Sequence, residues 1–180
     1  MKPRLEPVLR AATVADIPAI QQLYAQQVRD GVATYEYDVP GEAEMAARME
    51  ALLSGNFPYL VAECDGEFAG YAYASSYRSR AGYRWTVEDT VYVVPGLSRR
   101  GIGTALLEGL MRECATRGFR QMVAVIGEPD NRDSVALHEK LGFTTIGIFP
   151  GLGRKHGRWL DTVQMQCALG RGTQQAPDDE

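Results

Sequence analysis

Apolar and polar residues alternate along this chain with two different periods, and the points where one period replaces the other outline its elements. Residues 6–11 read as a short strand. A Thr-x-x-Asp capping pattern at Thr13 then opens a helix over 14–30, with Ile17, Ile20, Leu23, Tyr24 and Val28 on one face and Gly31 at its end. The stretch Val32–Pro40 is expected to be an ordered loop, and 41–53 a second helix stopped by Ser54, Gly55 and Asn56. A period of two follows: Tyr59–Cys64 and Phe68–Ser75 are predicted strands around the hairpin dipeptide Asp65–Gly66. A polar loop rich in Arg and Tyr, 76–83, leads to a strand ending near Val94. Helical spacing returns over 103–117, with Leu106, Leu107, Leu110 and Cys114 inward and Gly118 as the stop.

Arg120–Gly127 reads as a buried strand. A short helix, capped by Asn131 or Asp133, reaches about Leu141 and ends at Gly142. Phe143–Phe149 and Trp159–Leu169 are the last predicted strands, separated by a Gly- and Lys-rich loop at 150–157. The polar residues 170–180 are expected to be a disordered tail beyond a single domain of residues 1–169. No internal repeat and no domain boundary interrupts the order.

Composition narrows the possible functions. At 180 residues the chain is long enough for one domain with a sizeable core. A net charge of −4 argues against nucleic acid as a partner and makes the basic clusters stand out: Arg78, Arg80 and Arg84; Arg99 and Arg100; Arg154, Lys155 and Arg158. Such clusters suit small anions, the alternative being solvated surface charge. No apolar run is long enough to span a membrane, and the first residues lack the apolar stretch of an export signal. Cys64, Cys114 and Cys167 are far apart in apolar surroundings, so free thiols and a cytoplasmic location are expected. His138 and His156, with no Cys/His spacing around them, imply no metal site.

Residues 87–107 carry the strongest chemical signal. A β-branched strand runs into Ser98-Arg99-Arg100-Gly101-Ile102-Gly103-Thr104, and an apolar-faced helix opens there. A helix N-terminus presents unpaired N–H groups and partial positive charge. Glycines at 101 and 103 let a ligand approach those groups, and Arg99 and Arg100 add full charge, which together suit a diphosphate. A P-loop pattern is absent, and the dinucleotide pattern fails because its third glycine position is Leu106. The remaining pattern, [QR]-x-x-G-x-[GA], resembles the coenzyme A pyrophosphate loop of the GNAT superfamily of N-acetyltransferases, with Ser98 where Gln or Arg is usual. A plain strand–turn–helix with glycines serving the turn is the competing interpretation.

The resemblance extends over residues 8–169. Pro58–Glu63, Gly70–Ala74, Thr86-Val87-Glu88, Ala124–Gly127, Leu137-His138-Glu139 and Lys155–Asp161 resemble the phosphinothricin and methionine sulfoximine N-acetyltransferases. Their fold is a single mixed α/β domain with a mostly antiparallel central sheet flanked by helices. What the resemblance implies is acetyl transfer from acetyl-CoA to the α-amine of a small amino acid, by a homodimer. Backbone N–H groups around Val91, Tyr92 and Val93 are implied to hold pantetheine and polarise the thioester. Arg99, Arg100, Gly101, Ile102, Gly103 and Thr104 are implied to hold the diphosphate, and Asn131 and Ser134 the pantetheine arm.

The α-ammonium of such an acceptor, with a pKa of roughly 8, must lose a proton before it attacks. Glu88 is the candidate base. Two-residue alternation puts Glu88, Thr90 and Tyr92 on one face of the strand and Asp89 on the other with Val91 and Val93. His138 stands where many superfamily members have Tyr, so it is either the proton donor to the leaving thiolate or a satisfied helix histidine. Arg78 and Arg80 are candidates for the acceptor's anionic groups. Tyr35, Tyr73 and Tyr83 would wall the pocket, with Thr90 and Val125 on its floor and the 151–159 loop at its border, across a dimer interface as in relatives. The competing functions are the same chemistry on another amine, or a non-catalytic acyl-CoA-binding module.

Overall fold

A computed structural model describes residues 5–128 and 131–177 of the chain. Seven strands and four α-helices follow in the predicted order. They are β1 (Val8–Ala11), α1 (Ile17–Asp30), α2 (Glu42–Ser54), β2 (Tyr59–Cys64), β3 (Glu67–Ser76), β4 (Thr86–Val93), α3 (Ile102–Thr116), β5 (Gln121–Gly127), α4 (Arg132–Lys140), β6 (Thr144–Lys155) and β7 (Arg158–Ala168). The strands form one sheet in the order β1-β2-β3-β4-β5-β7-β6. Every neighbouring pair is antiparallel except β4 and β5.

Alternation along the strands divides the core into two layers. Ile20, Leu23, Val28, Met45 and Met49 of α1 and α2 cover one face, meeting Tyr59, Val61, Tyr71 and Tyr92. Leu106, Leu107, Leu110 and Cys114 of α3 cover the other, meeting Val87, Met122, Ala124 and Met165. Asp65 and Gly66 both have positive φ, the mirror-image turn that joins β2 to β3. At the start of α1 the capping pattern forms: the Thr13 N–H donates to Asp16 Oδ2 at 2.7 Å, and Asp16 is held from the other side by Arg10. The first turn, Val14–Asp16, is a tighter 3-10 turn, so the α-helix begins at Ile17 and not at 14.

One larger expectation is corrected. Residues 150–155 belong to β6, and the loop between the last two strands is only His156 and Gly157, both with positive φ. The glycines that mark a loop in the sequence do other work. Pairing of β6 with β7 shifts between Phe149 and Gly153, a bulge at which Gly151 has φ 59°. A Cβ on Gly153 would lie 2.3 Å from the Tyr35 ring, so glycine lets that ring lie against the strand. Beyond β7, residues 170–173 form turns, with Leu169 N–H bonded to Arg120 O and Gly172 N–H to Leu169 O, both at 2.9 Å. Residues 178–180 lie outside the described residues.

Candidate active site

The parallel pair β4–β5 is laddered only over Thr86–Glu88 with Gln121–Val123, and past Glu88 the two strands part. A cavity of about 590 Å³ opens there, lined by both strands and by the N-terminal ends of α3 and α4. The N–H of Val94 bonds to Ala69 O of the β3 side, which fixes the alternation of backbone groups along β4. Even-numbered residues turn toward β3, so the N–H and C=O groups of Asp89, Val91 and Val93 turn toward the side that β5 has left. Tyr92, between them, turns its N–H to β3 and its side chain into the α1/α2 layer, where its hydroxyl reaches Ala33 O at 3.4 Å.

At the far end of the cavity the chain reverses through Arg99 (φ 61°) and Gly101 (φ 97°), which caps α3. Ser98, Arg99, Gly101, Gly103 and Thr104 line the cavity. Ile102 is anchored in the core at 1% exposure, which orients the first turn of the helix. One sequence expectation changes here. Arg100 does not line the cavity, and its carbonyl accepts the N–H of Leu5. Gly103 lines the cavity and also serves packing: a Cβ there would sit 3.3 Å from Leu137 Cδ2 and 3.6 Å from Val93 Cγ2, so the missing side chain lets α4 and β4 come close.

Asn131 caps α4 by accepting the Ser134 N–H at 3.3 Å, and both residues line the cavity. Lys140 also lines it, with Nζ 3.4 Å from Thr104 Oγ1. Sequence reasoning missed this cation. The spacing Asp133, Ala136, Leu137, Lys140 on one face of α4 is the signal that could have found it.

Glu88, Thr90 and Val125 line the same cavity, with Gln27 and Ala33 beside them. Burial, and then the charge of Asp89, raise the Glu88 carboxyl above the ordinary glutamate value. Tyr73 hydrogen-bonds Thr90 and stacks in a cluster with Tyr59 and Tyr71; burial raises its hydroxyl pKa. It supports the cavity floor from behind. Tyr35 bonds Thr162 Oγ1 at 3.0 Å and does not line the cavity. Arg78, Arg80 and Tyr83 line a second, smaller cavity of about 370 Å³ with Ser79. There Arg78 lies over the rings of Tyr77 and Tyr83 at 5.2 and 5.8 Å. The predicted acceptor pocket is thus split between two cavities and a supporting layer.

His138 is 3% exposed and lies against Phe143 edge to face. Its Nδ1 is 2.7 Å from the Ser134 carbonyl oxygen and its Nε2 is 3.0 Å from Asp89 Oδ2. A carbonyl only accepts, so Nδ1 carries a proton, and the second proton of the pair lies between Nε2 and Oδ2. Burial works against the charged ring, but the bond and charge of Asp89 and the Ser134 carbonyl outweigh it and raise the imidazole pKa. Both ring nitrogens are therefore occupied. Asp89 is among the residues that line the cavity, and its Oδ1 is buried without a hydrogen-bond partner among the described residues.

Comparison with known proteins follows the same lines. The profile of the Acetyltransferase (GNAT) domain matches residues 9–164. A phosphinothricin N-acetyltransferase of Alcaligenes faecalis is 44% identical over 163 residues, 91% of this chain and 83% of that protein. An L-methionine sulfoximine/L-methionine sulfone acetyltransferase of Pseudomonas paraeruginosa is 38% identical over 162 residues, 89% of this chain and 94% of that protein. The crystal structure of a phosphinothricin acetyltransferase from Sinorhizobium meliloti in complex with AcCoA has a TM-score of 0.93 at 47% identity, covering 96% of this chain and 94% of that one.

Proposed function

Because the chain belongs to the GNAT acetyltransferase family, we propose that it is an acetyl-CoA-dependent N-acetyltransferase for the α-amine of phosphinothricin-like and methionine sulfoximine- or sulfone-like amino acids. One observation carries the proposal. A half-buried carboxylate with a raised pKa, Glu88, stands on the strand whose Val91 and Val93, past the end of the ladder to β5, line the same cavity.

The residues present fit coenzyme A. Its diphosphate matches the first turn of α3 with Ser98, Arg99 and Thr104, aided by Lys140. Its amide-bearing arm matches Asn131 and Ser134, which line the cavity with polar side chains. When bound, acetyl-CoA supplies an activated acyl group. The N–H groups of Val91 and Val93 then face the developing negative charge, as in an oxyanion hole. Glu88 takes the proton from the acceptor ammonium. We assign His138, which lines the cavity and is tied to Asp89, a charge-holding role in its wall, since donation from Nε2 would first have to break that bond. Arg78 and Arg80, which line the second cavity, are assigned the acceptor's anionic end.

We also infer a homodimer in the cytoplasm. β6 is an edge strand of the sheet, and Ile146, Ile148, Phe149, Leu152 and Trp159 of the β6–β7 hairpin are exposed by 44–68%. Such an apolar edge is an aggregation hazard unless another chain covers it. The three cysteines are free, in keeping with a reducing compartment.

The proposal is tested by thiol release from acetyl-CoA with phosphinothricin, methionine sulfoximine, methionine sulfone and methionine as parallel acceptors. Fast turnover on the first three and little on methionine is expected. No turnover on any of them, with coenzyme A still bound, would overturn the acceptor class while leaving the cofactor.

A further inference from the structure

Residues 31–41, which connect α1 to α2, have no regular structure of their own, yet Ala33 from this segment and Gln27 from the last turns of α1 line the cavity beside Glu88. The segment is held in place by side chains distant in sequence. Lys155 Nζ donates to Thr34 O at 2.7 Å and to Gln27 O at 3.2 Å. His156 Nε2 donates to Gly31 O at 3.1 Å, and the Tyr37 hydroxyl donates to Arg154 O at 2.5 Å. Tyr35 adds its bond to Thr162. Most of these bonds converge on the turn of the β6–β7 hairpin.

Lys155 is the unusual member. It is 2% exposed, and among the described residues no carboxylate forms an ion pair with it. The acidic side chain that acts on it, Glu36, is held by Arg48 at 2.7 Å. A buried ammonium without a counter-ion costs stability, and an unbranched apolar side chain of similar length would fill the space without that cost. What the ammonium supplies is two donors. One meets the Gln27 carbonyl at the negative end of α1, and the other meets the Thr34 carbonyl next to Ala33.

We propose that Lys155 is a positioning residue for the acceptor: it fixes Gln27 and Ala33 against the Glu88 side of the cavity, and so sets the affinity for the amine without setting that for acetyl-CoA. The proposal rests on the acetyltransferase activity inferred above. Misplacement by about 1 Å can cost as much as about 100-fold in an enzyme site, so a strap of this kind has a kinetic signature.

The test compares Lys155→Met with Tyr37→Phe, the latter removing one strap bond from a residue that is 67% exposed and dispensable to the core. In Lys155→Met the acceptor KM is expected to rise about tenfold, or ~1.4 kcal/mol, with the acetyl-CoA KM within about twofold of the unaltered enzyme. Tyr37→Phe is expected to move the acceptor KM in the same direction by about two- to threefold. Amide hydrogen exchange over 31–37 should accelerate in Lys155→Met. Faster exchange with unchanged KM values, or both KM values rising together, would overturn the positioning role. If the unaltered enzyme acetylates no acceptor in the panel, the acceptor class falls instead. The strap is then judged by exchange, and unchanged protection of 31–37 in Lys155→Met would overturn it.

Discussion

Replacing Glu88 by Gln is expected to lower kcat/KM for the amino-acid acceptor by about 10²–10⁴-fold at pH 7, or about 3–5 kcal/mol, with acetyl-CoA binding unchanged. The amide keeps the size and the position on β4 but cannot take a proton. The loss should depend on pH in a way that a packing defect would not. An acceptor α-amine with a pKa of roughly 8 is mostly ammonium at pH 7 and mostly free amine at pH 9. The deficit of Glu88→Gln should therefore shrink as pH rises through 8. In the unaltered enzyme, kcat/KM should fall on the acid side as the Glu88 carboxyl protonates. Burial and Asp89 raise that carboxyl, so this limb should lie above the ordinary glutamate value. A deficit that stays constant from pH 7 to pH 9 would remove Glu88 from the role of base.

The face assignment behind this prediction was legible in the chain. Two-residue alternation separates Glu88, Thr90 and Tyr92 from Asp89, and because β4 pairs with β3 without a bulge the alternation survives into the structure. The helices were equally legible, since their apolar stripes face one sheet and nothing else competes for them. The errors arose where glycine has more than one use. Gly151 and Gly153 read as a loop because local signals cannot separate a turn from a bulge, or from a strand passing beneath an aromatic ring; the ring belongs to Tyr35, more than a hundred residues away. Arg99 and Arg100 are adjacent and chemically alike, and only the positive φ at Arg99 and the bond from Leu5 to Arg100 distinguish them. The strap at Lys155 and the pairing of Asp89 with His138 join elements far apart in sequence, and neither leaves a periodic trace.

That buried pair is the site of the second large effect. Asp89→Ala is expected to destabilise the fold by about 3–5 kcal/mol at pH 6 and by less at pH 8, measured by urea denaturation. The direction follows from the imidazole. Its folded-state pKa is raised above the ordinary 6.5, so the native state holds the ring proton more tightly than the unfolded chain does. The resulting stability is fully present below pH 6.5 and is lost as pH rises through the raised value. Without Asp89 the relation reverses. A buried ring with no counter-charge resists protonation, so the variant should lose stability as pH falls through 6.5 while the unaltered protein does not. The gap between the two is therefore widest in acid and narrows in base, where an unpartnered Nε2 and the vacated space still cost about 1–3 kcal/mol. Asp89→Asn, which preserves the shape and one hydrogen bond, guards against a variant that fails to fold and should show the same pH trend at smaller amplitude. Glu88 and Cys114 also sense the Asp89 charge, but their pKa values are raised mainly by burial, so removing Asp89 leaves their dominant cause in place. A gap independent of pH between 5.5 and 8.5 would show that His138 is a neutral ring in the folded protein, and the charge assigned to it in the cavity wall would have to be abandoned.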